Sequence, residues 1–143
     1  MDAAACAVGR IGPDGPWIGF APAIDDRYEL VIGPANGVPR HVAADADDLL
    51  CLAAAYFEDD LGEPPEELAA THGDIGSLVR HVAEHEADPE RRRLLGEAVD
   101  AVDDGLPADA VVSRLRLCLA GSEDPLARLT RRVNEFSGRS VTP

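Results

Sequence analysis

His81, Glu84 and His85 are the residues of this chain whose types and spacing come nearest to a catalytic set. They follow the order His-x-x-Glu-His. Two imidazoles at i and i+4 on one helical face can share a zinc ion, and the glutamate between them can activate a bound water. Such a site needs a third ligand from a distant element, for which Glu135 is the only late candidate. Relative to the apolar stripe of Ile75, Leu78, Val79 and Val82, His81 and Glu84 project toward solvent. A small metal-dependent hydrolase is therefore carried as an alternative function, against an expected solvated helix face with no catalytic residues and no metal.

The other chemistry-bearing types lack a matching context. Glu58, Asp59 and Asp60 are clustered but do not follow the alternating spacing of a calcium loop. Ser77 and Ser113 have no nucleophile-elbow glycines, and the glycines of residues 9–19 and 33–37 are turn glycines rather than a phosphate loop. Cys6, Cys51 and Cys118 are odd in number, widely spaced and without an adjacent base, which suits reduced thiols in a cytoplasm. Cys118 belongs to an apolar helical stripe, whereas Cys51 points away from the stripe of its own helix. No cofactor is expected.

Charge is the strongest signal. The 143 residues carry 27 acids against 13 arginines and no lysine, a net charge of −14. Seventeen of those acids fall in residues 46–105, beside only four arginines, whereas residues 106–143 have four acids and six arginines. Phosphate contacts require Lys or Arg, so nucleic acid is excluded as a partner and a basic protein is favoured. Asp59, Asp60, Glu63, Glu66 and Glu67 crowd one rim, and a focused negative field of this kind steers a basic partner. No apolar run approaches the ~20 residues of a membrane span. The N-terminal Met-Asp-Ala-Ala-Ala-Cys has no basic and then apolar segment, so a cytoplasmic location is expected.

These residues are positioned by a chain that reads as strands first and helices afterwards. Residues 5–11, 17–24, 28–32 and 38–42 alternate as short strands, separated by Gly12-Pro13-Asp14-Gly15, Asp25-Asp26 and Gly33-Pro34-Ala35-Asn36-Gly37. That punctuation predicts an antiparallel meander, with Ile18, Phe20 and Ile24 on one face and Tyr28, Leu30 and Ile32 beside them. Pro22 and Pro39 favour edge or bulged positions. The first helix starts at an Asp45 cap, buries Leu49, Leu50, Ala53, Tyr56 and Phe57, and stops at Gly62. A short second helix opens at Pro64-Pro65-Glu66-Glu67, and a third is capped by Asp74 and runs to about Ala87. Asp88-Pro89 starts a fourth that ends at Gly105, residues 107–120 form a fifth, and Asp124-Pro125 starts a sixth before Gly138. Leu126, Leu129, Val133 and Phe136 repeat at a/d spacing on that last helix, so a helical subunit or self-associating scaffold is a further alternative. Residues 139–143 are expected to be loose.

Leu52 to Asp60 contains Tyr56-Phe57-x-x-Asp60, and a helix-and-acidic-turn run follows from Asp88 to Pro107. Together they resemble the CdiI-type immunity proteins of contact-dependent growth inhibition over roughly residues 46–106. The family's tryptophan after the aspartate is Leu61 here, and its late tryptophan is absent. The resemblance implies a bacterial, non-enzymatic protein that binds one toxin domain and blocks it.

The expected fold is thus α+β in a single domain: a meander of three or four strands in residues 1–45, then five or six packed helices in 46–138. The expected function is an acidic immunity protein or inhibitor that occludes a basic toxin domain such as a nuclease. Its partner-binding residues are expected to be Tyr56, Glu58, Asp59, Asp60, Glu63, Glu66 and Glu67. No membrane contact is expected, and the oligomeric state is left open.

Overall fold

The computed structural model describes residues 5–12, 15–23, 27–33, 38–119 and 124–141, with side chains described as far as Glu135. Four strands, β1 (Cys6–Arg10), β2 (Trp17–Pro22), β3 (Tyr28–Gly33) and β4 (Arg40–Ala43), form an antiparallel sheet in the order β1-β2-β3-β4. Five helices follow: α1 (Ala46–Glu58), α2 (His72–His85), α3 (Pro89–Asp103), α4 (Ala108–Cys118) and α5 (Pro125–Val141). The α+β expectation holds. The predicted short helix at 64–67 is a single 3-10 turn over Glu66–Leu68.

The alternation of the strands decides which face meets the helices. Ile18 pairs with Ile32 and Phe20 with Leu30, so these residues and Val42 share the face packed on the helical layer. Trp17, Ala21 and Val31 lie on the opposite face in a smaller cluster. There the indole lies over Gly33, where any Cβ would stand 2.0 Å from Trp17 Cε2. Pro22 does not sit on an edge strand: it closes central β2, where the ladder ends. Ile24 falls outside the described residues.

The helix predicted to bury one stripe is buried all round. Every residue from Asp48 to Ala55 is buried, including Cys51, expected to point away. The reason is composition: Leu49 to Phe57 holds no charged residue, and a helix apolar on every side must be enclosed. The helices α2, α4 and α5 all pack against it. Burying side chains such as Leu50 and Leu52 stabilises the fold by about 1.5–3 kcal/mol each.

One carboxylate lies inside this apolar centre. Asp48 is 3% exposed and completes the capping box of α1, accepting from Asp45 N while Asp45 accepts from Asp48 N at 2.8 Å. Two arginines of α5 reach it: Arg128 Nε donates to Asp48 Oδ1 at 2.8 Å, and Arg132 Nε stands 3.6 Å from Asp48 Oδ2. Arg128 also grips Asp45, and Arg132 donates to the Ala43 carbonyl of β4 at 2.7 Å. From α3, Arg91 pairs with Asp47. The N-terminus of α1 favours negative charge, so these acids suit that end and the arginines neutralise them. Leu129 and Val133 complete the docking of α5, which places two of the four a/d residues in the core. The α5 helix continues through Gly138, expected as its stop. The side chain of Phe136 lies outside the described set.

Candidate functional site

The predicted acidic rim begins where α1 ends. No glycine stops the helix. Asp59 does so, in the left-handed conformation with φ 59° and ψ 36°, where its N–H still reaches back to α1 carbonyls. Asp is among the few non-glycine types that accept this geometry. Gly62, the expected stop, instead exchanges two hydrogen bonds with Arg10 of β1, at 2.9 and 3.0 Å. Ala70 N donates to Ala7 O at 2.8 Å. Residues 61–70 therefore form a strap along the outer edge of β1. A close approach of Leu61 makes this possible, since a Cβ on Gly9 would fall 2.3 Å from Leu61 Cβ.

The strap and the end of α1 enclose a groove of about 410 Å³. Its lining is mainly apolar, from Val8, Ala55, Leu61, Pro64, Ala69 and Ala70. Tyr56, Phe57 and His72 form an aromatic wall: the Tyr56 and Phe57 rings meet edge to face at 5.1 Å, and His72 contacts both. Tyr56 Oη and His72 Nδ1 are 3.0 Å apart. Burial, with a smaller push from Asp74, raises the Tyr56 phenol above its ordinary value. A helix capped at Asp74, as the sequence predicts, leaves His72 outside it and without a signal of its own. Thr71 is the cap, and Asp74 is its capping-box partner three residues on. The Thr-x-x-acid pattern at 71–74 was the available signal, and it puts His72 in the first turn.

The seven expected partner-binding residues are gathered in one region but are not equivalent. Asp59 and Glu63 line the groove. Asp60, Glu66 and Glu67 are exposed beyond it. Tyr56 is half-buried in the groove wall. Glu58 is turned the other way, held by Arg116 of α4, whose Nε donates to it at 2.9 Å. Arg116 also stands 3.5 Å from Asp124 at the start of α5, and these carboxylates hold its charge against burial.

Among the described residues, arginines answer many acids of the helical layer but none of the rim, and outside the rim Glu84, Asp100, Asp104 and Asp109 are also exposed without an ion pair. The arginines of the helical layer are engaged: Arg80 with Asp103, Arg91 with Asp47, Arg93 with Glu90 and Glu97, and Arg128 with Asp45 and Asp48. Among the described residues, Asp59, Asp60, Glu63, Glu66 and Glu67 take part in no ion pair. Five neighbouring carboxylates are left facing solvent.

The His81, Glu84, His85 set is placed differently. His81 is half-buried rather than solvent-facing, because its ring packs edge-on against Tyr28 at 4.6 Å. His85 Nδ1 is 2.9 Å from the His81 carbonyl oxygen, and Glu84 is exposed. Among the described residues no three His, Cys, Asp or Glu side chains converge as a metal-holding group. Cys51 is fully buried. Burial pushes the Cys118 thiol up to about 11, with nearby Arg91 opposing it. Among the described residues no helix is long and apolar enough to cross a membrane.

The comparisons with known proteins add no assignment: no family model, curated protein or solved structure matches the chain.

Proposed function

We propose that this chain is a non-enzymatic interaction protein that binds a basic protein surface through the 59–67 rim. The occluded surface is best read as the substrate-binding face of a nucleic-acid-cleaving toxin domain. The reading rests on one observation: the five rim carboxylates are exposed and have no ion-pair partner among the described residues, while the helical arginines are committed elsewhere. Acids left in this way have no cation of this chain to neutralise them and project a negative field that salt screens, and such a field speeds encounter with a cationic partner by 10 to roughly a thousandfold at low ionic strength. A nuclease must present basic residues to its substrate phosphates, and rim carboxylates can take the place of those phosphates. The Tyr56-Phe57-x-x-Asp60 resemblance supports placing the chain among bacterial immunity proteins, acting in the cytoplasm of the protected cell.

The test uses the full-length chain as bait in a lysate of its native host, beside an Asp59→Lys/Asp60→Lys variant. The expected result is one basic protein retained by the wild type and lost with the variant. Stoichiometric addition of the wild-type chain should then block that protein's nuclease activity. Equal retention by both baits, or a captured protein whose activity the chain leaves intact, would overturn the proposal.

A further inference from the structure

We infer that the groove between the C-terminal end of α1 and the 61–70 strap is a pocket for a single arginine side chain presented by the partner. This deepens the proposed function and rests on it. Three features converge on that occupant. The walls from Val8, Ala55, Leu61 and Pro64 suit an aliphatic stem, which arginine buries while keeping its head at the mouth. Asp59 and Glu63 are the acids that line the groove and neither is in an ion pair among the described residues; Arg10, whose backbone pairs with Gly62, turns its guanidinium to the Gly15 carbonyl instead. Tyr56, Phe57 and His72 supply an aromatic wall.

Arginine fits this combination better than lysine. A guanidinium is planar, weakly hydrated and able to lie against an aromatic ring while donating forked hydrogen bonds to a carboxylate. An ammonium is compact and strongly hydrated, and it would lose more by leaving water for a mainly apolar groove. Phosphate or carboxylate ligands are repelled by the same two acids. The volume of about 410 Å³ lies within the range of roughly 300–1,000 Å³ typical of small-ligand sites.

The experiment titrates the full-length chain with three capped tripeptides, Gly-Arg-Gly, Gly-Lys-Gly and Gly-citrulline-Gly, and follows the aromatic NMR signals of Tyr56 and His72. The arginine peptide should saturate both signals, with citrulline weaker by about tenfold, because its neutral urea head gives up the charge-assisted bonds. Lysine should be weaker by about threefold or more. Asp59→Asn/Glu63→Gln should weaken arginine binding at least about fivefold with an unchanged melting profile. Asp60→Asn/Glu66→Gln/Glu67→Gln, whose residues lie outside the groove, should leave it within about twofold.

Equal affinity for the arginine and lysine peptides overturns the pocket, as does arginine binding unaffected by Asp59→Asn/Glu63→Gln. Neither result touches the wider proposal. That proposal fails separately if the outer triple variant and the wild type capture a basic protein equally well and with the same salt dependence.

Discussion

Replacing Asp48 by alanine should be the most damaging single change to a charged residue in this chain. Asp48 is 3% exposed, and the arginines it faces keep side-chain exposures of 15% for Arg128 and 19% for Arg132. Removing the carboxylate takes from both largely buried guanidiniums their most buried counter-charge, leaving Arg128 with Asp45 and Arg132 with Glu135, and opens the capping box at the start of α1. Breaking a buried pair from one side costs about 3–5 kcal/mol, a fifth or more of the ~5–15 kcal/mol that holds a typical domain together. At roughly 2–4 °C per kcal/mol for a chain near this size, the melting temperature should fall by about 10 °C. Urea unfolding followed through the single tryptophan, Trp17, and by far-ultraviolet circular dichroism measures the loss. In the double variant Asp48→Ala/Arg128→Met one of the stranded cations is gone, so it should be more stable than Asp48→Ala alone by at least about 1 kcal/mol. The deficit should persist at high salt, since a buried pair is screened far less than a surface one. A loss below about 1 kcal/mol in Asp48→Ala, or a double variant worse than the single, would refute the account of α5 docking.

Asp59→Gly should keep the fold and raise stability by up to about 1 kcal/mol in urea titration, because glycine adopts φ 59° without the Cβ penalty. Gly33→Ala should destabilise by about 1–3 kcal/mol and shift Trp17 emission, since the added methyl group meets the indole. Cys118 should be alkylated slowly at pH 8: raising the thiol from 9.0 to about 11 keeps it protonated and lowers the reactive thiolate about a hundredfold, while the urea-unfolded chain recovers ordinary reactivity in mass-spectrometric labelling. The deficit should close only as the pH approaches 11.

What was legible in the sequence is what short-range chemistry controls. The strand alternation at Ile18, Phe20, Leu30 and Ile32 and the Asp88-Pro89 helix start are local signals, and the structure follows them. The enclosure of α1 was legible too, in the unbroken apolar run from Leu49 to Phe57, but matching residues to a one-sided stripe concealed it. The rim acids were visible as composition. Their groove was not, because it depends on Gly62 and Ala70 pairing with β1 some fifty to sixty residues earlier, and no nearby residue announces such a pairing. The contact of Arg128 and Arg132 with Asp48 is equally remote in the chain. The two termini of the strap also explain why Glu58 and Asp59, adjacent in sequence, face different neighbours: the left-handed turn at Asp59 separates the helix from the strap.

The enclosure of α1 has a consequence for synthesis. The ribosome delivers the sheet and α1 early, yet Leu129 and Val133, which cover one flank of that helix, are made about seventy to eighty residues later. Until then the nascent chain displays an oily rod with an aspartate beside its leucines, a species suited to chaperone capture. Ribosome-stalled chains ending before Pro125 should accordingly be cleaved by protease within α1, whereas released full-length chains should resist.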